Sequence, residues 1–411
     1  MKEKLPEKFI SMIKNLLGEE GEDLIKSLDE DPVVAIRKNS RKPYEAFDEE
    51  ESVPWCASGV YLSSRPDFIF DPLLHAGAYY VQDASSMIYQ TVIERLLAEF
   101  EKISPKVNLE VIDLCAAPGG KTTAMINALS DGSHITANEF STKRFNILKE
   151  NLTKWGFKNT SVTNRNTSFF ANQGPGYDIV AVDAPCSGEG MMRKDEFARI
   201  QWSPELIDEC SVLQKKILKD AVEILKPGGF LIYSTCTFNR HENEENVEFL
   251  VNELDLMPYD VMFPAYWNIP SGINTNLPVY RFMPHKTKGE GLFLAVLQKK
   301  GEGVPSIRYD IEPKKIIKSR HKKEDDKKIK DEYPPIEEIL LADKDFTGLP
   351  GVELSKEEAL KYLRRESLIL SENSPKGYII ARYKGLNLGL MKNIGNRANN
   401  LYPKNWRILK R

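Results

Sequence analysis

The chain predicts an α/β core built on a mostly parallel sheet, and three features of the sequence carry that reading. Strand-like and helix-like stretches alternate from Leu109 to about Lys300. One strand-like run, Val111–Leu114, leads into Cys115-Ala116-Ala117-Pro118-Gly119-Gly120, a glycine turn with a helix-compatible stretch behind it. Two later runs each end in a cysteine-bearing motif, at Asp183–Cys186 and Thr235–Cys236. Such alternation means helices on both faces of a doubly wound sheet, whose ligand crevice borders the carboxyl ends of the strands.

The elements follow in order. Residues 1–52 read as small helices: Phe9, Met12, Ile13, Leu16 and Leu17 recur at helical spacing before Gly18, and Leu24, Ile25 and Leu28 make a second stripe. Both stripes are core candidates. After an acidic loop at 48–51, residues 54–81 are rich in Trp, Tyr, Phe and Pro and predict an irregular or β segment, then a helix near Asp83–Phe100. The expected core strands are Glu110–Leu114, His134–Asn138, Ser161–Thr163, Tyr177–Val182, Gly229–Ser234 and Leu292–Gln298. Helices are expected at Lys121–Leu129, Thr142–Trp155 and Pro204–Leu225, with Lys226-Pro-Gly-Gly229 as a helix stop. Asn239 and Glu242 are spaced as a capping box for a helix near His241. Residues 301–334 read as a charged linker, and 335–411 as a small β-rich module with a helix near Lys356–Arg364 and strands at Gly377–Arg382 and Gly385–Leu390. The expected division is therefore 1–105, 106–300, 301–334 and 335–411.

Composition narrows the class. A chain of 411 residues with 41% hydrophobic and 28% charged residues suits a soluble protein of two or three domains. No apolar run approaches the roughly 18 residues of a membrane span, and MKEKLPEKF does not read as a signal peptide. Five cysteines without a CxxC or Cys/His pattern suggest neither a disulfide framework nor a metal site, so the expected setting is a reducing cytoplasm with free thiols. The net charge of −3 hides a gradient. From Lys314 to Lys330 nine Lys/Arg face three acids, and from Pro375 to Arg411 nine Lys/Arg face none. That asymmetry points to a polyanionic partner.

The glycine loop narrows the ligand. GxxxxGK[ST] would need glycine where Cys115 stands, and GxGxxG also fails because only Gly119 and Gly120 are present. Glu139 lies 20 positions beyond Gly119, about where a carboxylate receives ribose hydroxyls. A nucleoside cofactor without a pyrophosphate fits best, and S-adenosylmethionine is the expected one. Asp183, Cys186 and Cys236 should face that loop from neighbouring strand ends. Two thiols and a carboxylate beside such a cofactor suit methylation of cytosine at carbon 5. There a thiolate adds to carbon 6, making carbon 5 nucleophilic, and a carboxyl group at ring nitrogen 3 stabilises the developing charge. The base must leave its stack to enter the pocket. The residues alone do not rank the two thiols.

The motifs CAAPGGKT at 115–122, DAPCSGEGMMRKD at 183–195, KPGG at 226–229 and STCT at 234–237 resemble those of the RNA cytosine-5 methyltransferases of the Sun/Nop class, most closely the bacterial RsmF-like branch acting on small-subunit rRNA. LPEKF near the start, GAYYVQDASSM at 77–87 and LYPKNWR at 401–407 extend the resemblance over nearly the whole chain. It implies a Rossmann-like S-adenosylmethionine-dependent methyltransferase core with a small N-terminal helical region and a C-terminal β-rich, PUA-like RNA-binding module. It also implies Cys236 as nucleophile, Cys186 as the thiol that assists product release, and Asp183 at both cofactor and target base. Lys121 is similar to a family lysine near the reaction centre. Residues Cys115 to Lys121, Glu139 and Asp183 match cofactor-binding positions. Asn166 stands where the family usually has Asp, which implies an altered contact to the adenine. The implied partner is 16S rRNA or the 30S subunit, with tRNA or 23S rRNA as the alternative and a silent ribosome-assembly factor as a non-enzymatic one. A monomer without metal is expected. Tyr378, Tyr383, Tyr402 and Trp406, interleaved with the C-terminal cations, are candidate stacking platforms for single-stranded RNA.

Overall fold

The computed structural model describes residues 3–409 apart from 45–46, 48–49, 105–106, 302–332 and 342–347, so the basic stretch 314–330 lies outside the described residues. The chain packs into two compact units, one of residues 1–66, 79–151 and 160–306, the other of 67–78, 152–159 and 307–411.

The first unit is organised around an eight-stranded sheet. Its main strands are β1 (Glu110–Asp113), β2 (His134–Asn138), β3 (Thr160–Thr163), β4 (Tyr177–Asp183), β5 (Leu225–Thr235), β6 (Val279–Phe282) and β7 (Leu292–Lys299). The order across the sheet is β6-β7-β5-β4-β1-β2-β3, and a short strand, Leu256–Pro258, pairs with β7. Strands β1 to β5 run parallel, while β7 is antiparallel to β5 and β6. The strand order reverses between β1 and β4, which is where a doubly wound sheet opens a crevice.

The parallel strands are buried because helices cover both faces. On one face α3 (Pro204–Ile224) and α4 (Glu244–Asn252) pack Ile217, Leu218, Ala221, Val247 and Leu250 against Ile112, Val180, Leu231 and Phe293. Helix α1 (Gly120–Ala128) follows the glycine loop, and α2 (Thr142–Trp155) follows β2. Strand positions in the core agree with the sequence to within one or two residues, except at Lys226–Gly229. That segment is not a stop outside the sheet. Leu225 already pairs with Tyr177, so β5 begins before the proline and the two glycines and carries a register shift there. Gly228 takes φ of 75°, and Lys226 reaches the buried Asp178 at 2.9 Å, so the turn residues act as a bulge within the strand.

The N-terminal stripes form two helices, Glu7–Leu17 and Glu20–Ser27. Phe9, Ile13, Leu24 and Leu28 are buried against Met192, Ala198, Trp202 and Phe238, so the helices brace the segments that carry both cysteine motifs. Residues 1–52 are not wholly helical. Ala35–Lys38 is the middle strand of an antiparallel three-stranded sheet with Gly59–Tyr61 and Tyr79–Val81. The β-branched Pro-Val-Val-Ala-Ile run before Arg37 favours that outcome over a helix.

In the second unit a four-stranded sheet runs Gly351–Glu353, Gly377–Tyr383, Leu386–Asn393 and Ala398–Asn400, with helix Lys356–Leu363 capped by a Ser355/Glu358 box. Lys384 and Gly385, both at positive φ, close the central hairpin. Tyr402 is fully buried and packs on Tyr362 at 5.4 Å, which makes it core rather than a stacking platform. The rings of Trp406 and Tyr378 each carry a lysine, Lys154 at 5.5 Å and Lys392 at 4.8 Å.

Ile112 sits fully buried at the centre of β1 between Thr136 and Val180. Ile112→Ala should lower unfolding stability by about 2–5 kcal/mol, read as a lower urea midpoint at unchanged slope.

Candidate active site

Parallel pairing of β4 with β5 places Asp183 beside Ser234, so the two strands end at the same level. Cys186 and Cys236 follow on adjacent loops, and their sulfurs stand 3.3 Å apart as free thiols. The Cys236 backbone N–H also donates to the Cys186 sulfur at 3.3 Å. Gly190 N–H donates to the Cys236 carbonyl at 2.8 Å. A Cβ at Gly190 would lie 2.9 Å from the Gly291 carbonyl oxygen and 3.1 Å from that of Cys236, so only glycine lets these backbones close up.

The pair is electrically polarised. The Cys186 hydrogen bond lowers the pKa of the Cys236 thiol; burial and the Asp183 charge oppose this, while Lys121 and Lys194 assist. The same bond, with burial, pushes the Cys186 thiol well up. Of the two thiols, Cys236 is the one whose ionisation the surroundings favour.

Asp183 is held from two sides. Lys121 Nζ meets Oδ2 at 2.8 Å, and Ser234 Oγ donates to Oδ1 at 2.7 Å. Tyr89 bonds Ser234 Oγ at 2.8 Å, and burial keeps its phenol protonated, so the chain runs from Tyr89 through Ser234 to Asp183. Burial disfavours the Lys121 ammonium, yet Asp183 raises its pKa overall. Lys121 is thus an interior ion-pair partner and not a solvated helix-start lysine.

The glycine loop sits at the switch point. Ala117-Pro118 is cis, and Gly119 takes φ of 108° as the residue before α1. Ala116 N–H bonds the Asn138 carbonyl at 2.8 Å, which ties the loop to the end of β2. Tyr80 and Asn151 both donate to the Pro118 carbonyl, at 3.3 and 2.8 Å. Asp113 is buried, accepts from Thr122 Oγ1 at 2.6 Å, and is pushed up to about 7 by burial. Burial likewise pushes the Cys115 thiol up, so this third cysteine is not an activated one.

Glu139 ends β2 with Oε1 accepting from Ser141 N–H at 2.8 Å, while its buried Oε2 accepts no hydrogen bond and faces Arg144 at 3.4 Å. A buried carboxylate oxygen with spare acceptor capacity at this position fits a ribose hydroxyl. Asn166 follows β3 and is exposed; its side-chain oxygen already caps the helix Thr167–Ala171 through Phe169 N–H at 3.0 Å. Only its amide N–H groups are left for an adenine. The sequence-chosen residues thus fall into two groups: Lys121, Asp183, Cys186 and Cys236 together at the ends of β4 and β5, and the loop from Cys115 to Gly120 with Glu139 after β2, while Asn166 lies exposed after β3.

Four supporting residues escaped the sequence reading. Glu189 accepts from Phe238 N–H, Asn239 N–H, Asn239 Nδ2 and Trp202 Nε1 at 2.6 to 3.1 Å. Glu242 accepts from Ser187 and Gln214. Of the expected capping box one bond is present, Glu242 N–H to Asn239 Oδ1 at 2.9 Å, but the Asn239 N–H goes to Glu189 and α4 begins only at Glu244. Glu244 forms a buried pair with Arg281. Arg37, from the N-terminal sheet, donates to Gln82, to Thr123 Oγ1 and to the Gly120 carbonyl, pinning the first turn of α1. Glu189 lies inside a motif chosen for its cysteine and Glu242 carries a cap-like spacing, while nothing along the chain marks the partners of Glu244 and Arg37.

A seven-strand order with one reversed strand, a glycine loop at the switch point and an acidic end to β2 define a Rossmann-like methyltransferase. Family models agree along the chain: "N-terminal domain of 16S rRNA methyltransferase RsmF" matches residues 5–84, "16S rRNA methyltransferase RsmB/F" residues 101–298, and "Methyltransferase RsmF PUA domain" residues 350–408. The ribosomal RNA small subunit methyltransferase F of Aliivibrio salmonicida is 30% identical over 83% of this chain and 74% of that protein. That of Cronobacter sakazakii is 27% identical over 97% and 96%, and that of Pectobacterium carotovorum 34% identical over 63% and 53%. A solved methyltransferase homolog from Pyrococcus horikoshii is 25% identical with TM-score 0.60, covering 72% of this chain and 95% of that one. NSun6 from the same organism, solved with SFG, shares the fold at 22% identity and TM-score 0.59, covering 72% and 99%. The chain belongs to the ribosomal RNA small subunit methyltransferase F family of S-adenosylmethionine-dependent enzymes. Among the described residues no helix is long and apolar enough to cross a membrane.

The polarity of the thiol pair is testable directly. With iodoacetamide below pH 9, Cys236 should be alkylated ahead of Cys186 and Cys115, its rate rising with pH as the thiolate fraction grows; peptide mass mapping that finds Cys186 labelled first contradicts it.

Proposed function

We propose that the chain methylates carbon 5 of cytosine in 16S rRNA, with Cys236 as nucleophile, Cys186 assisting release, and Asp183 and Lys121 at the target base. The observation that carries this is the thiol pair at the ends of β4 and β5, with sulfurs 3.3 Å apart and Lys121 held on Asp183 beside it. Cofactor binding falls to Cys115, Ala116, Ala117, Pro118, Gly119, Gly120 and Lys121 on the loop, with Glu139 at the ribose, Asn166 at the adenine and Asp183 below. S-adenosylmethionine supplies there an electrophilic methyl group.

The residues divide the work by charge. Cys236 adds to carbon 6, and the electron pair displaced from the ring double bond makes carbon 5 nucleophilic. As the thiolate adds, ring nitrogen 3 takes up a proton from solvent, and the Asp183 carboxylate, already fixed between Lys121 and Ser234, accepts that N–H; the proton leaves again when the ring double bond re-forms. After methylation a base takes the carbon 5 proton, the ring double bond re-forms, and the carbon–sulfur electron pair returns to Cys236 as thiolate. Cys186, already within hydrogen-bond reach, stabilises that departing sulfur. Residues 1–105 serve as the accessory region and 106–300 as the catalytic core, with 301–334 as linker. Residues 335–411 hold RNA, through exposed Arg397 and through exposed Lys404 and Arg407 on either side of the half-buried Trp406 in the chain.

Tritiated cofactor with 30S subunits lacking the modification should yield 5-methylcytosine at discrete positions of 16S rRNA. Label on tRNA or 23S rRNA would move the substrate, and none on any RNA with cofactor bound would favour an assembly factor. Cys236→Ala should abolish transfer and keep cofactor binding, whereas Cys186→Ala should accumulate an RNA–protein adduct on denaturing gels; adduct from Cys236→Ala would reverse the roles. Replacing Arg397, Lys404 and Arg407 together by Ala should weaken RNA binding and lower its salt slope by about 2, at roughly 0.7 per lost phosphate contact.

A further inference from the structure

Two loops must meet for Cys186 to touch Cys236, and something has to hold them together. Glu242, fully buried and six positions beyond Cys236, takes four donors. Ser187, the neighbour of Cys186, gives two of them: its N–H at 3.0 Å and its Oγ at 2.5 Å. Gln214 Nε2 at 2.7 Å and Asn239 Nδ2 at 2.8 Å complete the set. Four donors and no acceptor opposite are what a carboxylate anion requires. Glu189 also joins the two loops, through Phe238 N–H and Asn239 N–H, but it meets Ser187 only through Oγ at 3.4 Å, whereas Glu242 takes both the N–H and the Oγ of the residue next to Cys186.

We infer that Glu242 is the positioning residue of the release thiol: it clamps Ser187, and through it Cys186, against Cys236. The inference rests on the roles proposed above for the two cysteines. The charges facing the pair fit it. Lys121, Lys194 and Asp183 act on Cys236, while the Glu242 charge opposes ionisation of Cys186. The clamp therefore fixes the place of Cys186, and its charge disfavours ionisation there. Burial raises the Glu242 pKa, and its donors from Ser187, Asn239 and Gln214 counter that.

The test uses the full-length chain, S-adenosylmethionine and unmodified 30S subunits. Glu242→Gln keeps the volume, removes the charge and replaces one acceptor oxygen by a donor. The ratio of covalent RNA–protein adduct to methyl groups transferred in the first turnover should rise roughly fivefold or more over wild type. The double variant Cys186→Ala/Glu242→Gln should hold no more adduct than Cys186→Ala alone, because both act on one step. Ser187→Ala, which removes one donor and leaves the backbone bond, should move adduct in the same direction by less, and it decides the matter if Glu242→Gln does not fold. Adduct at the wild-type level in the folded variant, or methylation and adduct falling together, would overturn the clamp. If Cys186→Ala itself accumulates no adduct, the cysteine assignment fails and the clamp with it.

Discussion

Asp183 pairs with Ser234 across two parallel strands, and from that register the reaction centre follows. It sets Cys186 and Cys236 on loops that leave the sheet at one level, with sulfurs in contact and Asp183 beside them. A slip of one residue would turn every side chain of β5 to the opposite face. Tyr233 and Ser234 would exchange faces, and with them the bond to Asp183 would be lost. The buried apolar faces of β4 and β5 therefore fix chemistry as well as stability.

The low-dielectric interior makes the arrangement effective and also costly. Lys121, Asp183 and the thiol pair are only partly exposed, so each charge counts for more than it would in water. Uncompensated, such charges would oppose folding. Here nearly every one has a partner: Asp183 has Lys121 and Ser234, Glu189 has two backbone N–H groups, and Glu244 has Arg281. The loops carry function, but buried carboxylates anchor them to the sheet.

Much of this was legible in the sequence, for physical reasons. Parallel strands covered on both faces must be short apolar runs, and glycine at a strand-to-helix turn marks a crevice, so Val111–Thr123 and the ends of β4 and β5 could be placed. Lys226–Gly229 could not, because a bulge inside a strand and a helix stop use the same residues. Glu242 looked like a cap because spacing along the chain cannot show that Ser187, 55 residues earlier, competes for it. Ala35–Lys38 and Arg37 were missed for the same reason, since their partners lie across the unit at Tyr61, Tyr80 and Thr123. Tyr402 read as a stacking ring, but a single aromatic among cations carries no sign of which face is covered.

The claim at the centre of this account is that Cys236 bonds to carbon 6 of a cytosine. RNA carrying 5-fluorocytidine tests it on the unaltered enzyme, because fluorine at carbon 5 cannot leave as a proton does and the adduct should persist. Digestion and mass mapping should then place the nucleotide on Cys236. A nucleotide on Cys186 would contradict the assignment, and no adduct at all in the presence of cofactor would contradict covalent catalysis by this chain.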